Sequence, residues 1–130
     1  MQGNYSVHIQ DFSERHFIKS FQKKYKTQWD FTLRAIISEL EHIDSLLLTN
    51  KAEIICHVGN IKIIKTKFKV AGTKESAVTS GNRCIISWHL DKRFVYVLLV
   101  YGKTDLSGSN ETTQWKNLVK ENYSEYSNIL

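Results

Sequence analysis

Lysine alternates with apolar or β-branched residues along one segment of the chain, and this alternation constrains the fold more than any other feature. Between residues 61 and 70, Lys65, Lys67 and Lys69 alternate with isoleucine, threonine, phenylalanine and valine. A period of two is typical of a β-strand, whose successive side chains point to opposite faces of a sheet. We therefore predict a strand over residues 61–70 with one cationic face and one apolar face.

Two further strands are predicted after a polar loop over residues 71–82. Residues 83–89 and 93–101 are rich in β-branched and aromatic side chains, and the short polar segment between them is typical of a hairpin turn. The apolar residues of these strands fit a face that is covered by helices. By elimination, Arg83 and the lysines are expected to share an open face of the sheet.

Helices are predicted on either side of these strands in the sequence. A short strand over residues 5–10 comes first, and Ser13 can cap a helix that runs to about Tyr25. A second amphipathic helix is predicted over about residues 28–48, and a C-terminal helix over about residues 111–126. The first two helices would form a helical hairpin that covers the apolar face of the sheet. The pattern leaves the type of the apolar segment 53–57 open.

Composition sets limits on the class of protein. The chain has 130 residues, of which 42% are hydrophobic, which predicts one domain over residues 1–130. No apolar run approaches the length of a membrane span, so we expect a cytoplasmic protein without a membrane association. Cys56 and Cys84 lie in apolar surroundings without metal-ligand spacing, which predicts reduced core thiols and no metal site.

The charge of the chain indicates an acidic partner. The net charge is +5, and the segment 61–74 carries five lysines and no carboxylate. A cationic face on a sheet could bind a phosphodiester backbone. The alternative is that the alternate lysines only solvate the exposed side of an antiparallel sheet and protect its edge.

Three motifs in this region together resemble a known family. They are Lys65-Thr-Lys67, Ser80-Gly-Asn-Arg83-Cys-Ile-Ile and Leu98-Leu-Val-Tyr-Gly-Lys103. The combination, and the order of the elements around it, resembles the RelE/HigB-like toxins of type II toxin-antitoxin systems. The resemblance implies an α+β RelE-like fold. In that fold a small, antiparallel-dominated sheet of about four strands has an N-terminal helical hairpin packed on one face, and a C-terminal helix follows.

The resemblance also implies a function. Such toxins inhibit translation as ribosome-dependent endoribonucleases that cleave mRNA, and a cognate antitoxin protein neutralises them. Position by position, Lys65 and Lys67 match the basic strand pair of the family, Arg83 matches the arginine that opens the next strand, and Lys103 matches the lysine after Tyr-Gly. The loop before Arg83 departs from the family pattern because it contains only one lysine and one glutamate.

The expected chemistry follows from the residue types. RNA cleavage without a metal or another cofactor requires a base for the 2′-hydroxyl, cations for the phosphorane and an acid for the leaving 5′-oxygen. Arg83, Lys65 and Lys67 would supply the charge. A lysine acts as a base only if its pKa falls, and crowding by like charges favours this, so Lys67 is our candidate base. Lys103 would serve as phosphate clamp or acid.

Further residues are candidates for contact with RNA. His89 and His57 are alternative acid-base groups, although a turn or packing role is the simpler interpretation of each. C-terminal tyrosines could stack on a base, or could be core residues. The expected RNA-binding set is Lys62, Lys69, Lys74, Ser87, His89, Tyr123 and Tyr126.

Two other functions remain open at this level. One is a non-catalytic toxin, or a ParE-like toxin that binds DNA gyrase on the same scaffold, because a fold does not determine a function. The other is a small basic RNA-binding module without catalytic activity. The sequence lacks the RNP-type aromatic pattern and the Gly-x-x-Gly loop of such modules.

Overall fold

A five-stranded mixed sheet with helices on both faces organises the chain. The computed structural model describes residues 4–106 and 110–130. The strands are β1 (Ser6–Ile9), β2 (Ala52–Val58), β3 (Ile61–Lys67), β4 (Arg83–His89) and β5 (Phe94–Tyr101), in the spatial order β1-β5-β4-β3-β2. β1 runs parallel to β5, and the other pairs are antiparallel. The predicted α+β class is confirmed. The sheet has five strands and not about four, because the segment 53–57, whose type the sequence left open, belongs to β2 and pairs with β3 at the edge of the sheet.

The N-terminal helical region begins earlier than predicted. It consists of α1 (Asp11–Ser13), a π-helical segment (Glu14–Ile18) and α2 (Lys19–Tyr25). The prediction that Ser13 caps this helix is wrong, since Gln10 precedes the first turn and Ser13 lies inside the helix, fully buried. Ser13 has helical backbone angles (φ −64°, ψ −42°) and makes no side-chain cap hydrogen bond, whereas a cap residue has non-helical angles and accepts from the first free N–H groups.

The second helix is shorter than predicted. α3 (Thr27–Glu41) ends at His42, whose φ of −121° and ψ of 50° are not helical, and the short α4 (Ile43–Leu46) follows. The break turns the chain, so that Ile43 and Leu46 are both buried in the core. A continuous apolar period could not reveal this change of direction.

The helical hairpin covers one face of the sheet, which we call the helix-pair face. Ile64, Ile86 and Val97 lie on this face and belong to the same apolar cluster as residues of α2, α3 and α4. In that cluster Phe21 stacks on Trp29, with ring centroids 4.6 Å apart. Burial of the large aromatic side chains supplies much of the hydrophobic stabilisation of this layer.

The opposite face, which we call the lysine face, is not open along its whole length. Helix α5 (Glu111–Asn122) and a 3₁₀ turn (Ser124–Tyr126) lie against it. Trp115 and Val119 are fully buried there with Ile63 and Ile85. The prediction of an open face is therefore wrong for this half of the sheet, because β3 and β4 also carry apolar residues on the lysine face.

The first long strand ends at Lys67, three residues before the predicted end. The Lys67 N–H donates to the Lys51 carbonyl (2.8 Å), and the Phe68 N–H donates to the Asn82 carbonyl (3.2 Å). Phe68 and Val70 then enter the core of the helix-pair face. Lys69 consequently lies beyond the strand, and strand parity does not apply to it.

Burial determines the chemistry of one core thiol. Cys84 is fully buried on β4, and this burial raises the pKa of its thiol to about 12, against a smaller opposing effect of a hydrogen bond with Thr66. Such a thiol stays protonated at neutral pH and behaves as a small apolar side chain.

None of the helices within residues 4–106 and 110–130 combines the length and the apolar character that crossing a membrane requires.

A comparison of two glycines tests the packing of the loop before β4. Gly81 has φ +79°, and a Cβ added there would lie 2.7 Å from Lys103 Cβ, whereas Gly59 has φ +58° and open space around it. We expect Gly59→Ala to lower the free energy of unfolding by about 1 kcal/mol through backbone strain. Gly81→Ala should cost about 1–3 kcal/mol more, because of the added clash. Urea unfolding of both variants measures the difference, and equal losses would contradict the close approach of Lys103.

Candidate active site

A row of three polar side chains crosses the end of the sheet on the lysine face. Lys67 on β3 lies directly opposite Arg83 on β4, and Arg83 lies directly opposite Tyr101 on β5. Opposed residues of neighbouring strands share a face, so all three side chains project to the same side. We call this set the Lys67 row.

Lys65 lies one step along the same face. It pairs with Ile85 on β4 and with Glu53 on β2. Its Nζ lies 3.8 Å from Glu53 Oε1, and its side chain is only 17% exposed. Lys65 therefore supports the Lys67 row with a charge that Glu53 partly balances.

Arg83 is anchored to the loop that precedes it. Its Nη1 donates to the carbonyl oxygens of Asn82 (2.9 Å) and Ala77 (3.3 Å). Its Nη2 donates to the carbonyl oxygen of Val78 (3.1 Å). The Nε–H and the second Nη2–H of Arg83 donate no hydrogen bond to any residue that the structure describes. These two groups form the side of the guanidinium that suits a phosphate.

The serine of the Ser-Gly-Asn-Arg motif closes this loop through its side-chain hydroxyl. Ser80 is buried, and its Oγ lies 2.6 Å from the Phe68 carbonyl oxygen and 2.8 Å from that of Ala77. The same Oγ accepts a hydrogen bond from the Asn82 N–H (3.0 Å). A buried hydroxyl with these partners holds the loop where the carbonyl oxygens can meet Arg83.

A carboxylate that the sequence analysis did not identify joins the end of the row. Tyr101 Oη donates a hydrogen bond to Glu111 Oε2 (2.5 Å), across the turn between β5 and α5. Burial, and then the hydrogen bond to Glu111, raise the pKa of the Tyr101 phenol well above its usual range. The phenol therefore remains a hydrogen-bond donor at neutral pH. The only sequence signal was an acidic residue near a helix start, which usually reflects the helix dipole.

Lys103 lies outside the row. It follows β5 by two residues and lines a cleft of about 260 Å³ together with Lys24, Tyr25 and Asp105. The cleft lies between α2 and the segment after β5, next to Phe21 of the helix-pair core. The structure thus brings Lys65, Lys67 and Arg83 together, and it gives Lys103 a neighbouring but separate surface.

The other predicted lysines also lie away from the row. Lys62 is on the helix-pair face, where its Nζ lies 5.0 Å from the centre of the Trp88 ring. Lys69 lines a groove beside α3, and Lys74 is exposed in the loop before β4. These cations are spread over several surfaces of the molecule.

The predicted aromatic and histidine contacts form a buried cluster at the far end of the lysine face. Tyr126 Oη lies 2.7 Å from Ser87 Oγ and 3.0 Å from His89 Nε2. Tyr123 Oη donates to the Leu98 carbonyl (2.8 Å), and both tyrosines are less than 10% exposed. Their rings serve as packing residues in this conformation and offer no free face to a base. His57 is exposed near the end of β2, with Nε2 3.0 Å from the Gly59 carbonyl oxygen.

Among the described residues, no group of three or more His, Cys, Asp or Glu side chains is arranged to hold a metal ion.

Comparison with known proteins identifies the fold. No protein-family model and no curated protein matches this chain. A solved structure, the crystal structure of the archaeal RelE-RelB complex from Pyrococcus horikoshii OT3, is similar with a TM-score of 0.55 at 13% sequence identity. The similarity covers 79% of this chain and 99% of that chain. The chain therefore has a RelE-like fold.

The His89 cluster predicts a specific dependence of stability on pH. Burial, and next the charge of Lys92, lower the pKa of His89 in the folded protein. As the pH falls below the unfolded value of ~6.5, the unfolded chain binds a proton that folded His89 resists, so stability is lost. The free energy of unfolding of the wild type should therefore fall more steeply from about pH 7.5 to about pH 5.5 than that of His89→Gln. Parallel urea titrations measure both slopes, and identical slopes would refute the assignment.

Proposed function

We propose that this chain, which has a RelE-like fold, is the toxin of a type II toxin-antitoxin system and a ribosome-dependent mRNA endoribonuclease. The single observation that carries the proposal is the direct pairing of Lys67 with Arg83 on the lysine face, where both residues are partly exposed. The chain cleaves RNA by attack of the 2′-hydroxyl on the adjacent phosphate, without a metal.

Arg83 supplies the central phosphate contact in this proposal. Its loop bonds keep the guanidinium in one orientation, and the Nε–H and second Nη2–H, which bond to no residue that the structure describes, form a fork for two phosphate oxygens. A donor held in place before the reaction stabilises developing charge without the cost of reorganisation. Lys67, beside it, has no side-chain hydrogen bond or ion pair with any of the described residues and is available to RNA.

Lys65 and Lys103 have supporting roles in this proposal. Lys65 adds positive potential beneath the phosphate from a mostly buried position. Lys103, in its cleft with Lys24, holds the RNA backbone at a neighbouring nucleotide and does not transfer a proton. Both roles use the attraction between fixed cations and a polyanion.

The proposal includes partners and a compartment. The similar solved structure is a RelE-RelB complex, and this chain carries a net charge of +5. We therefore assign this chain a cognate antitoxin with an acidic segment that covers the lysine face and keeps RNA away from Arg83. Action on ribosome-bound mRNA would take place in the cytoplasm.

A second candidate function is favoured by the partners of the same cations. Arg83 makes three hydrogen bonds to its own loop, and Lys65 lies near Glu53. These contacts would also be expected if the cations only stabilised the fold. A toxin that arrests growth by binding a protein target, such as a ParE-like inhibitor of DNA gyrase, would retain them.

Substitution of Lys67 tests the first candidate. Lys67→Ala removes a charge that holds no loop, so the melting temperature should stay constant while cleavage falls by about 10²- to 10³-fold. Primer extension on translated and untranslated transcripts after pulse induction measures cleavage. Lys23→Ala, which removes an exposed lysine of α2 on the opposite side of the sheet, is the matched control and should leave cleavage within about threefold.

The two candidates give different outcomes in this assay. Cuts confined to translated frames, lost in Lys67→Ala and kept in the control, support the endoribonuclease. Intact transcripts in arrested cells would overturn it, and a gyrase supercoiling assay with the purified chain would then test the second candidate. Arg83→Ala is a less specific probe, because it also releases the carbonyl oxygens of the loop.

A further inference from the structure

We propose that Glu111 is the general base of the cleavage reaction and that Tyr101 is the residue that positions it. This inference rests on the proposed endoribonuclease function and adds a specific residue to it. The observation behind it is the hydrogen bond from Tyr101 to Glu111 at the end of the Lys67 row.

In the Lys67 row, Arg83 lies between the ammonium group of Lys67 and the phenol of Tyr101. Neighbouring strands lie ~4.8 Å apart, so Lys67 on β3 and Tyr101 on β5 are separated by ~10 Å with Arg83 between them. Glu111 extends the Tyr101 side. A phosphate bound to Arg83 would therefore have a carboxylate on one side and an ammonium group on the other, as an in-line displacement requires.

The contacts of Glu111 exceed those of an ordinary acidic residue at a helix start. Glu111 is the first residue of α5, where a negative charge interacts favourably with the helix dipole, as it does for many glutamates at this position. It also accepts the Tyr101 hydrogen bond through Oε2, which fixes the orientation of the carboxylate. Glu111 is partly exposed, and Oε1 does not take part in the bond to Tyr101. Oε1 accepts no hydrogen bond from residues 4–106 or 110–130, so it can receive a proton from substrate.

The proton balance of the reaction is complete with these groups. Glu111 Oε1 takes the proton of the 2′-hydroxyl, and the 2′-oxygen forms a bond to phosphorus. The bond from phosphorus to the 5′-oxygen breaks, and the Lys67 ammonium group gives a proton to that leaving oxygen. The products are a 2′,3′-cyclic phosphate and a 5′-hydroxyl end. Exchange with water returns the proton from Glu111 to solvent and restores the charge of Lys67.

This assignment reverses the role of Lys67 that the sequence suggested. A glutamate is ionised at neutral pH and can act as a base at once, whereas a lysine must first lose its proton. With Glu111 as the base, Lys67 starts the reaction charged, and it can stabilise the phosphorane before it gives up its proton. All the cations of the row then contribute to the transition state.

Glu111→Gln tests the inference. The amide oxygen of glutamine still accepts the Tyr101 hydrogen bond, so the fold should keep its melting temperature. The single-turnover rate on mRNA bound to ribosomes should fall by about 10²- to 10⁴-fold, with RNA affinity unchanged or higher. The acidic limb of the pH-rate profile should also disappear. Glu121→Gln, an exposed glutamate at the other end of α5, is the matched control and should keep the wild-type rate.

Tyr101→Phe tests the positioning role separately. Loss of the phenolic hydroxyl leaves Glu111 in place but no longer fixes the orientation of its carboxylate. The rate should therefore fall by about tenfold, while the acidic limb of the pH-rate profile remains. Glu111→Asp should retain part of the activity that Glu111→Gln loses.

The outcomes separate this inference from the function on which it rests. A wild type that cleaves and a Glu111→Gln variant within threefold of it would overturn the role of Glu111 and leave the endoribonuclease intact. A Glu111→Gln variant with a lower melting temperature and an unchanged acidic limb would also overturn it, in favour of a structural tether. A wild type that leaves ribosome-bound mRNA uncut would overturn both proposals.

Discussion

The register between β3, β4 and β5 is the constraint on which the rest of the molecule depends. One register sets Ile64 opposite Ile86 on the helix-pair face and Lys67 opposite Arg83 on the lysine face. Because side chains alternate along a strand, a slip of β3 by one residue would turn Lys65 and Lys67 towards the helix-pair core and Ile64 away from it. The same pairing therefore builds the hydrophobic core and collects the cations, and the burial energy of the core fixes the geometry of the candidate site.

Arg83 links the stability of the loop to the chemistry of the site. Its guanidinium satisfies carbonyl oxygens of Ala77 and Val78 that would otherwise lose hydrogen bonds in a partly buried loop. In the proposed function, the same bonds would orient the guanidinium for a phosphate. A charged group that is rigid before its ligand arrives loses little entropy on binding, so structural and functional demands agree at this position.

Patterns in the sequence predicted those parts of the structure that depend only on residues close together in the chain. The strand period identified β3, and elimination correctly placed Lys67 and Arg83 on one face, because both inferences need only the alternation of side chains. The side-chain directions of Lys69 and Lys103 could not be predicted in this way. Each residue lies beyond the end of a strand, where the alternation of side chains no longer applies. Helix bounds failed at His42, where tertiary packing of Ile43 outweighs a continuous helical period.

Contacts between distant segments could not be predicted in this way. Tyr101 bonds to Glu111 across the turn after β5, and Tyr126 bonds to Ser87 from the 3₁₀ turn that follows α5. Neither contact has a periodic signal. The pairing of β1 with β5 has the same character and a further consequence. Ser6 pairs with Phe94, so β1 can join the sheet only after the chain through β5 has been synthesised. Such pairing between segments that are distant in the sequence carries a loop-closure cost and is slow, so the sheet is completed late in folding.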